Sequence, residues 1–145
     1  MAKSKPVILF ICEGNKVRSQ MAEAFYRQQG GLYQPLSAGT LAENGDPPSQ
    51  LATSAMDEIG IDISSQTGRR LTQEMVDKAD KIIIFPTTYM PSYASESPKA
   101  EFWENADPYY YPQGDKTDFM RRTRDDIKQQ VEQLIAKEEV KTNEV

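Results

Sequence analysis

Histidine is absent from the 145-residue chain, and cysteine occurs once, as Cys12. Without histidine there is no Ser-His-Asp triad, no Cys-His protease pair, no phosphohistidine chemistry and no imidazole metal site. A single cysteine excludes an intrachain disulfide and a Cys-x-x-Cys redox or zinc pair. Positive charge is also scarce. The 17 basic and 22 acidic side chains leave a net −5, which argues against binding to a nucleic-acid backbone. Apolar runs are short: the longest, Val7 to Ile11, falls far below the roughly 20 residues of a membrane helix. Lys3 and Lys5 precede it as in a leader sequence, but a polar loop follows directly and no small-residue cleavage site is present. The expectation is a reduced, soluble, cytoplasmic domain with no nucleic-acid or membrane partner. Its chemistry must run on carboxylates, arginine or lysine, hydroxyls, or Cys12.

The length suits one domain, since domains run about 100–200 residues. Short apolar runs alternate with helical patterns, which predicts a parallel α/β fold. Pro6–Ile11 reads as a strand buried on both faces. A helix is expected from near Arg18 to the glycine cap at Gly30 and Gly31, with Met21, Ala22 and Phe25 facing inward. Pro35–Ser37 reads as a short second strand. Ser49 is the expected N-cap of a second helix ending at Gly60. A brief helix over 72–78, strands over 81–85 and 100–103, and a last helix over 117–137 complete the pattern. The domain is expected to span 1–137, and the charged tail 138–145 to fray.

Chemistry concentrates in Cys12-Glu13-Gly14-Asn15-Lys16-Val17-Arg18-Ser19, between the first strand and the first helix. The carboxyl end of a parallel sheet is where ligands bind. A loop entering a helix N-terminus offers free N–H groups and the positive end of the dipole to an anion. A thiolate at Cys12 would be stabilised there as a bound anion would be. Arg18 can present a planar fork to two phosphate oxygens, and Ser19 can donate to the sulfur. Gly14 and Asn15 tolerate the left-handed backbone that a tight loop needs. A lone cysteine at a strand end is most often a small buried hydrophobe; the strand-end position and the Gly-Asn pair set this one apart.

The stretch from Val7 to Phe25 resembles the N-terminal signature of the low-molecular-weight protein tyrosine phosphatases, a family that includes thioredoxin-type arsenate reductases. The resemblance continues through Ser37–Thr40, Gly45–Pro47, Gly60–Ser64, Arg70–Thr72 and Asp107–Tyr110, in order and at family spacing. It implies a doubly wound four-stranded parallel sheet of order 2-1-3-4, with helices on both faces and a phosphate-binding loop after the first strand. It also implies Cys12 as a nucleophile forming a cysteinyl-phosphate, and Arg18 with the loop amides of residues 13–17 as the oxyanion cradle. Ser19 would stabilise the thiolate, and Asn15 would brace the loop with Ser37 as its partner. Asp107 would be the general acid, although an Asp-Pro pair on its own is a common structural turn. Tyr109 and Tyr110 would wall the cleft. The resemblance calls for no metal or cofactor.

Three positions depart from the family pattern. Val17 stands where many relatives carry a second cysteine, which leaves an oxidised Cys12 without a neighbouring resolving thiol. Glu13 puts a carboxylate beside an anion site, offset by Lys16 unless both side chains point to solvent. Glu43 lies near the place of a bulky cleft residue. Three functions remain open. One is a phosphatase acting on phosphotyrosine proteins or small aryl phosphates. Another is an arsenate reductase that, with one cysteine, must borrow an external thiol or redoxin. The third is a non-catalytic phosphoanion-binding module.

Overall fold

The computed structural model describes residues 5–108 and 115–143. Four strands, β1 (Val7–Cys12), β2 (Gln34–Gly39), β3 (Lys81–Ile84) and β4 (Ala100–Phe102), form one sheet in the order β2-β1-β3-β4. Every neighbouring pair is parallel. Among the described residues, five helices connect and cover them: α1 (Arg18–Gln29), α2 (Gln50–Asp57), α3 (Gln73–Lys78), α4 (Ser92–Ser95) and α5 (Lys116–Asn143). This is the single α/β domain with sheet order 2-1-3-4 that the family resemblance implies.

Side chains of β1 alternate between two cores, as strand geometry requires. Ile8, Phe10 and Cys12 meet Met21, Phe25 and Tyr26 of α1, Met56 of α2, and Ile127, Val131 and Leu134 of α5. Leu9 and Ile11 meet Val76 of α3, Ile82 and Ile84 of β3, and Ala94 of α4. A strand covered on both faces has no polar side, which is why VILFIC is a continuous apolar run. With β2 on one side of β1 and β3 on the other, the chain reverses its winding direction at β1. Cys12, the last residue of β1, therefore sits at the switch-point crevice.

Local signals account for most boundaries. Gly30 closes α1 in the left-handed conformation at φ 72°. Ser49 caps α2 by accepting from Ala52 N, and Thr72 caps α3 by accepting from Met75 N. Three boundaries differ from expectation. α2 ends at Asp57 with Glu58 as its C-cap, short of the expected stop at Gly60. β2 is longer than Pro35–Ser37, because pairing with all six residues of β1 extends it from Gln34 to Gly39. The last helix, expected to end at Lys137, runs on to Asn143. Glu138, only 7% exposed, holds that helix down. The Tyr26 hydroxyl donates to its carboxylate at 2.8 and 2.9 Å, and the amide of Leu32 donates to it at 3.3 Å. Tyr33 N donates in turn to the Tyr26 hydroxyl. Burial, reinforced by this carboxylate, raises the Tyr26 phenol well above its ordinary range.

Candidate active site

The loop after β1 is built around Asn15, the one non-glycine described residue with positive φ, at 54°. Gly14, expected to share that role, does not take a left-handed backbone. Asn15 tolerates the conformation because its side chain and backbone find local partners. Its Nδ2 donates to Ser19 Oγ at 2.7 Å, its Oδ1 accepts from Arg69 N at 2.9 Å, and its carbonyl accepts from Gln20 Nε2 at 3.0 Å. Gln20 also bonds the carbonyl of Thr67 and is itself held by Gln66. On the other side the loop lies against Gly39, where any Cβ would come within 2.6 Å of the Glu13 carbonyl. Glycine at the end of β2 is thus required by close backbone approach.

Cys12 Sγ is 2.9 Å from Ser19 Oγ and accepts from Asn15 N at 3.3 Å. Because Ser19 Oγ already accepts from Asn15 Nδ2, its own proton is free to point at the sulfur. With the Ser19 proton turned that way, the sulfur has two donors, the set that a thiolate needs.

Arg18 opens α1 and is 1% exposed. Its Nη1 donates to the carbonyls of Pro86 at 2.7 Å and Asn105 at 3.0 Å. The guanidinium lies 5.7 Å from the centre of the Phe85 ring, within cation–π range. Nη2 is buried, makes no hydrogen bond among the described residues, and stands 3.2 Å from Asp107 Oδ2. One half of the guanidinium is thus fixed by carbonyls, and the other half is turned toward an acid.

A cleft of about 410 Å³ is lined by Cys12, Glu13, Gly14, Lys16, Val17, Arg18, Leu41, Ser49 and Asp107. It brings together the nucleophile, arginine and acid inferred from the sequence. Asn15 and Ser19 lie beneath it. Tyr109 and Tyr110 fall outside the described residues. Among the described residues, no three Asp, Glu or Cys side chains group as metal ligands, and no helix is long and apolar enough to cross a membrane.

Several expectations require correction. Ser37 does not brace Asn15: its hydroxyl donates to Glu23 Oε1 at 2.7 Å, so it ties β2 to α1. Glu13 does not point to solvent; it is 6% exposed and accepts from Thr88 N at 2.8 Å. Lys16 pairs with Asp46 at 3.4 Å while also lining the cleft. Glu43 is outside the cleft, paired with Arg70 at 3.6 Å, and the neighbouring wall position is taken by exposed Leu41. The loop braces Gln20, Gln66 and Arg69 escaped the sequence reading. Each is tied by a bond between a side chain and a backbone group 46 to 54 positions apart, which leaves no periodic signal.

A family model for low molecular weight phosphotyrosine protein phosphatases matches residues 7–145. The chain belongs to that family. An arsenate reductase from Halalkalibacterium halodurans is 44% identical over 81 residues, which span 55% of this chain and only 56% of that protein. Arsenate reductase 1 from Bacillus cereus is 34% identical over 134 residues, covering 86% of this chain and 90% of the relative. Among solved structures, the YwlE arginine phosphatase from Geobacillus stearothermophilus superposes with a TM-score of 0.81 at 25% identity, covering 96% of each chain. The family thus brings to this fold both phosphatase and arsenate reductase relatives.

Proposed function

We propose that the protein is a phosphatase that cleaves aryl phosphate monoesters, phosphotyrosine among them, through a cysteinyl-phosphate. The observation that carries this reading is the single cleft shared by Cys12, Arg18 and Asp107. The Cys12 thiolate attacks phosphorus while the loop amides and Arg18 Nη2 hold the equatorial oxygens. As the P–O bond breaks, Asp107 gives a proton to the leaving phenolate oxygen. The same carboxylate then takes a proton from water attacking the phosphocysteine. The S–P bond breaks, phosphate leaves, and Ser19 receives the returning thiolate. The protein would work in the cytoplasm, and neither a metal nor a cofactor enters the scheme.

A second reading is favoured by the relatives that are arsenate reductases. The same thiolate attack would begin on arsenate. Since Cys12 is the chain's one cysteine, an external thiol or redoxin would have to complete the reduction. Retention of an acid beside Arg18 favours the ester, because a phenolate leaving group needs a proton. A direct comparison decides between them: aryl phosphate hydrolysis without added metal against arsenate consumption with added thiol. The phosphatase reading requires the first activity and its loss in Cys12→Ser. Arsenate turnover alone transfers the assignment to the reductase, and phosphopeptide binding with neither activity to a binding module.

A further inference from the structure

Glu13 is an unexpected neighbour for an oxyanion. A carboxylate beside the nucleophile opposes binding of a second anion, so its presence calls for a compensating role. The segment that follows β3 supplies one. Phe85 N donates to Ile11 O at 2.9 Å, which fixes the start of that segment at the end of β1. From there the chain meets the active-site loop three times in four residues. The Phe85 ring lies beside the guanidinium of Arg18, the Pro86 carbonyl accepts from Arg18 Nη1, and Thr88 N donates to Glu13 Oε1. The Glu13 end of this link is itself immobilised, since its carbonyl accepts from Leu41 N at 2.8 Å.

We propose that Glu13 is a positioning residue: it holds the Pro86–Thr88 segment against the loop and thereby fixes the orientation in which Arg18 offers Nη2 to a bound oxyanion. This rests on reading the cleft as an oxyanion site. The Thr88 N–H needs an oxygen acceptor, which an amide side chain also offers, so the acceptor and the charge can be separated by substitution. Glu13→Gln and Glu13→Ala remove the same charge, but only the glutamine keeps an oxygen in reach of Thr88 N. Glu13→Asp keeps the charge and falls short by about 1.5 Å, one carbon–carbon bond.

The test is calorimetric titration of the full chain with inorganic phosphate, alongside amide exchange at Thr88. Glu13→Ala is expected to bind phosphate roughly 3- to 10-fold more weakly than Glu13→Gln, the range of one net hydrogen bond. Thr88 should stay protected in the wild type and Glu13→Gln, and exchange faster in the alanine and aspartate variants. A role confined to stability would lower the melting temperature of Glu13→Ala while leaving its phosphate affinity equal to that of Glu13→Gln, and that equality overturns the proposal. If the alanine variant does not fold, wild type against Glu13→Asp gives the same comparison at constant charge: weaker binding by the aspartate supports the link, and equal binding overturns it. A wild-type protein that binds no phosphate overturns the oxyanion-site reading itself, a failure distinct from equal affinities.

Discussion

Asp107 stands 3.2 Å from Nη2 of Arg18, on the atom a phosphoryl oxygen would use. The acid of the proposed reaction therefore competes with the substrate for the arginine. Replacing Asp107 with asparagine removes the competing charge and the proton donor together, and the two losses act in opposite directions. Turnover of an aryl phosphate should fall by about 10²–10⁴-fold, the scale of a general acid. Affinity for inorganic phosphate should hold or tighten. Steady-state kinetics and a phosphate titration of Asp107→Asn check this, and weaker phosphate binding would remove the competition argument.

Ser19 is the donor best placed to receive the thiolate when the S–P bond breaks, being 2.9 Å from the sulfur with its lone pair engaged by Asn15. Ser19→Ala should slow dephosphorylation of the intermediate more than its formation. The expected loss in steady-state turnover is about 10²-fold, comparable to deleting one oxyanion donor. A rapid burst of phenolate should then precede the slow phase in stopped-flow traces. Wild-type turnover in Ser19→Ala would show that Asn15 N alone suffices.

The sheet and the cysteine loop were legible because each leaves a local mark. A doubly covered strand must be apolar throughout, as Val7–Cys12 is, and a tight anion loop needs a residue that tolerates positive φ, as Asn15 does. Interactions between a side chain and a distant backbone group leave no such mark. Glu13 to Thr88 spans 75 positions, and Asn15 to Arg69 spans 54. Charge also misleads where a carboxylate is buried with a partner. The charged stretch 138–145 reads as a solvated tail, yet Glu138 is turned inward onto Tyr26 across 112 positions. Ser37 and Glu23 form a similar buried pair, which no spacing rule would have matched.

The contact between Glu138 and Tyr26 makes the end of α5 part of the folded core. A chain ending at Lys137 would leave the Tyr26 hydroxyl and the Leu32 amide without that acceptor. Such truncation should cost about 1–3 kcal/mol, the penalty for stranding buried polar groups. Tyr26→Phe should cost a similar amount, since it takes the acceptor from the Tyr33 amide and one donor from the Glu138 carboxylate. Combining the two should cost less than their sum, because they break one network. Urea denaturation of the four proteins measures it. An unchanged midpoint on truncation would restore the frayed-tail expectation.

Glu58, just after α2, receives hydrogen bonds from Arg121 and Arg124 of α5 and is held at a pKa of about 2, against an ordinary 4.5. The hydrogen bond from Arg121 is the largest cause and that from Arg124 the next. A carboxyl depressed in the folded state stabilises the fold while it is ionised. That contribution is complete above the unfolded value and declines as pH falls toward the folded one. Relative to Glu58→Gln, the wild type should therefore be more stable by a constant margin from pH 7 down to about 5. The margin should then shrink steadily between pH 4.5 and 2. Because the Glu58 side chain is 40% exposed, added salt should reduce the margin at neutral pH. Urea denaturation of both proteins across that range reads it directly, and a margin independent of pH would mean that the α2–α5 clamp acts by packing and not by charge.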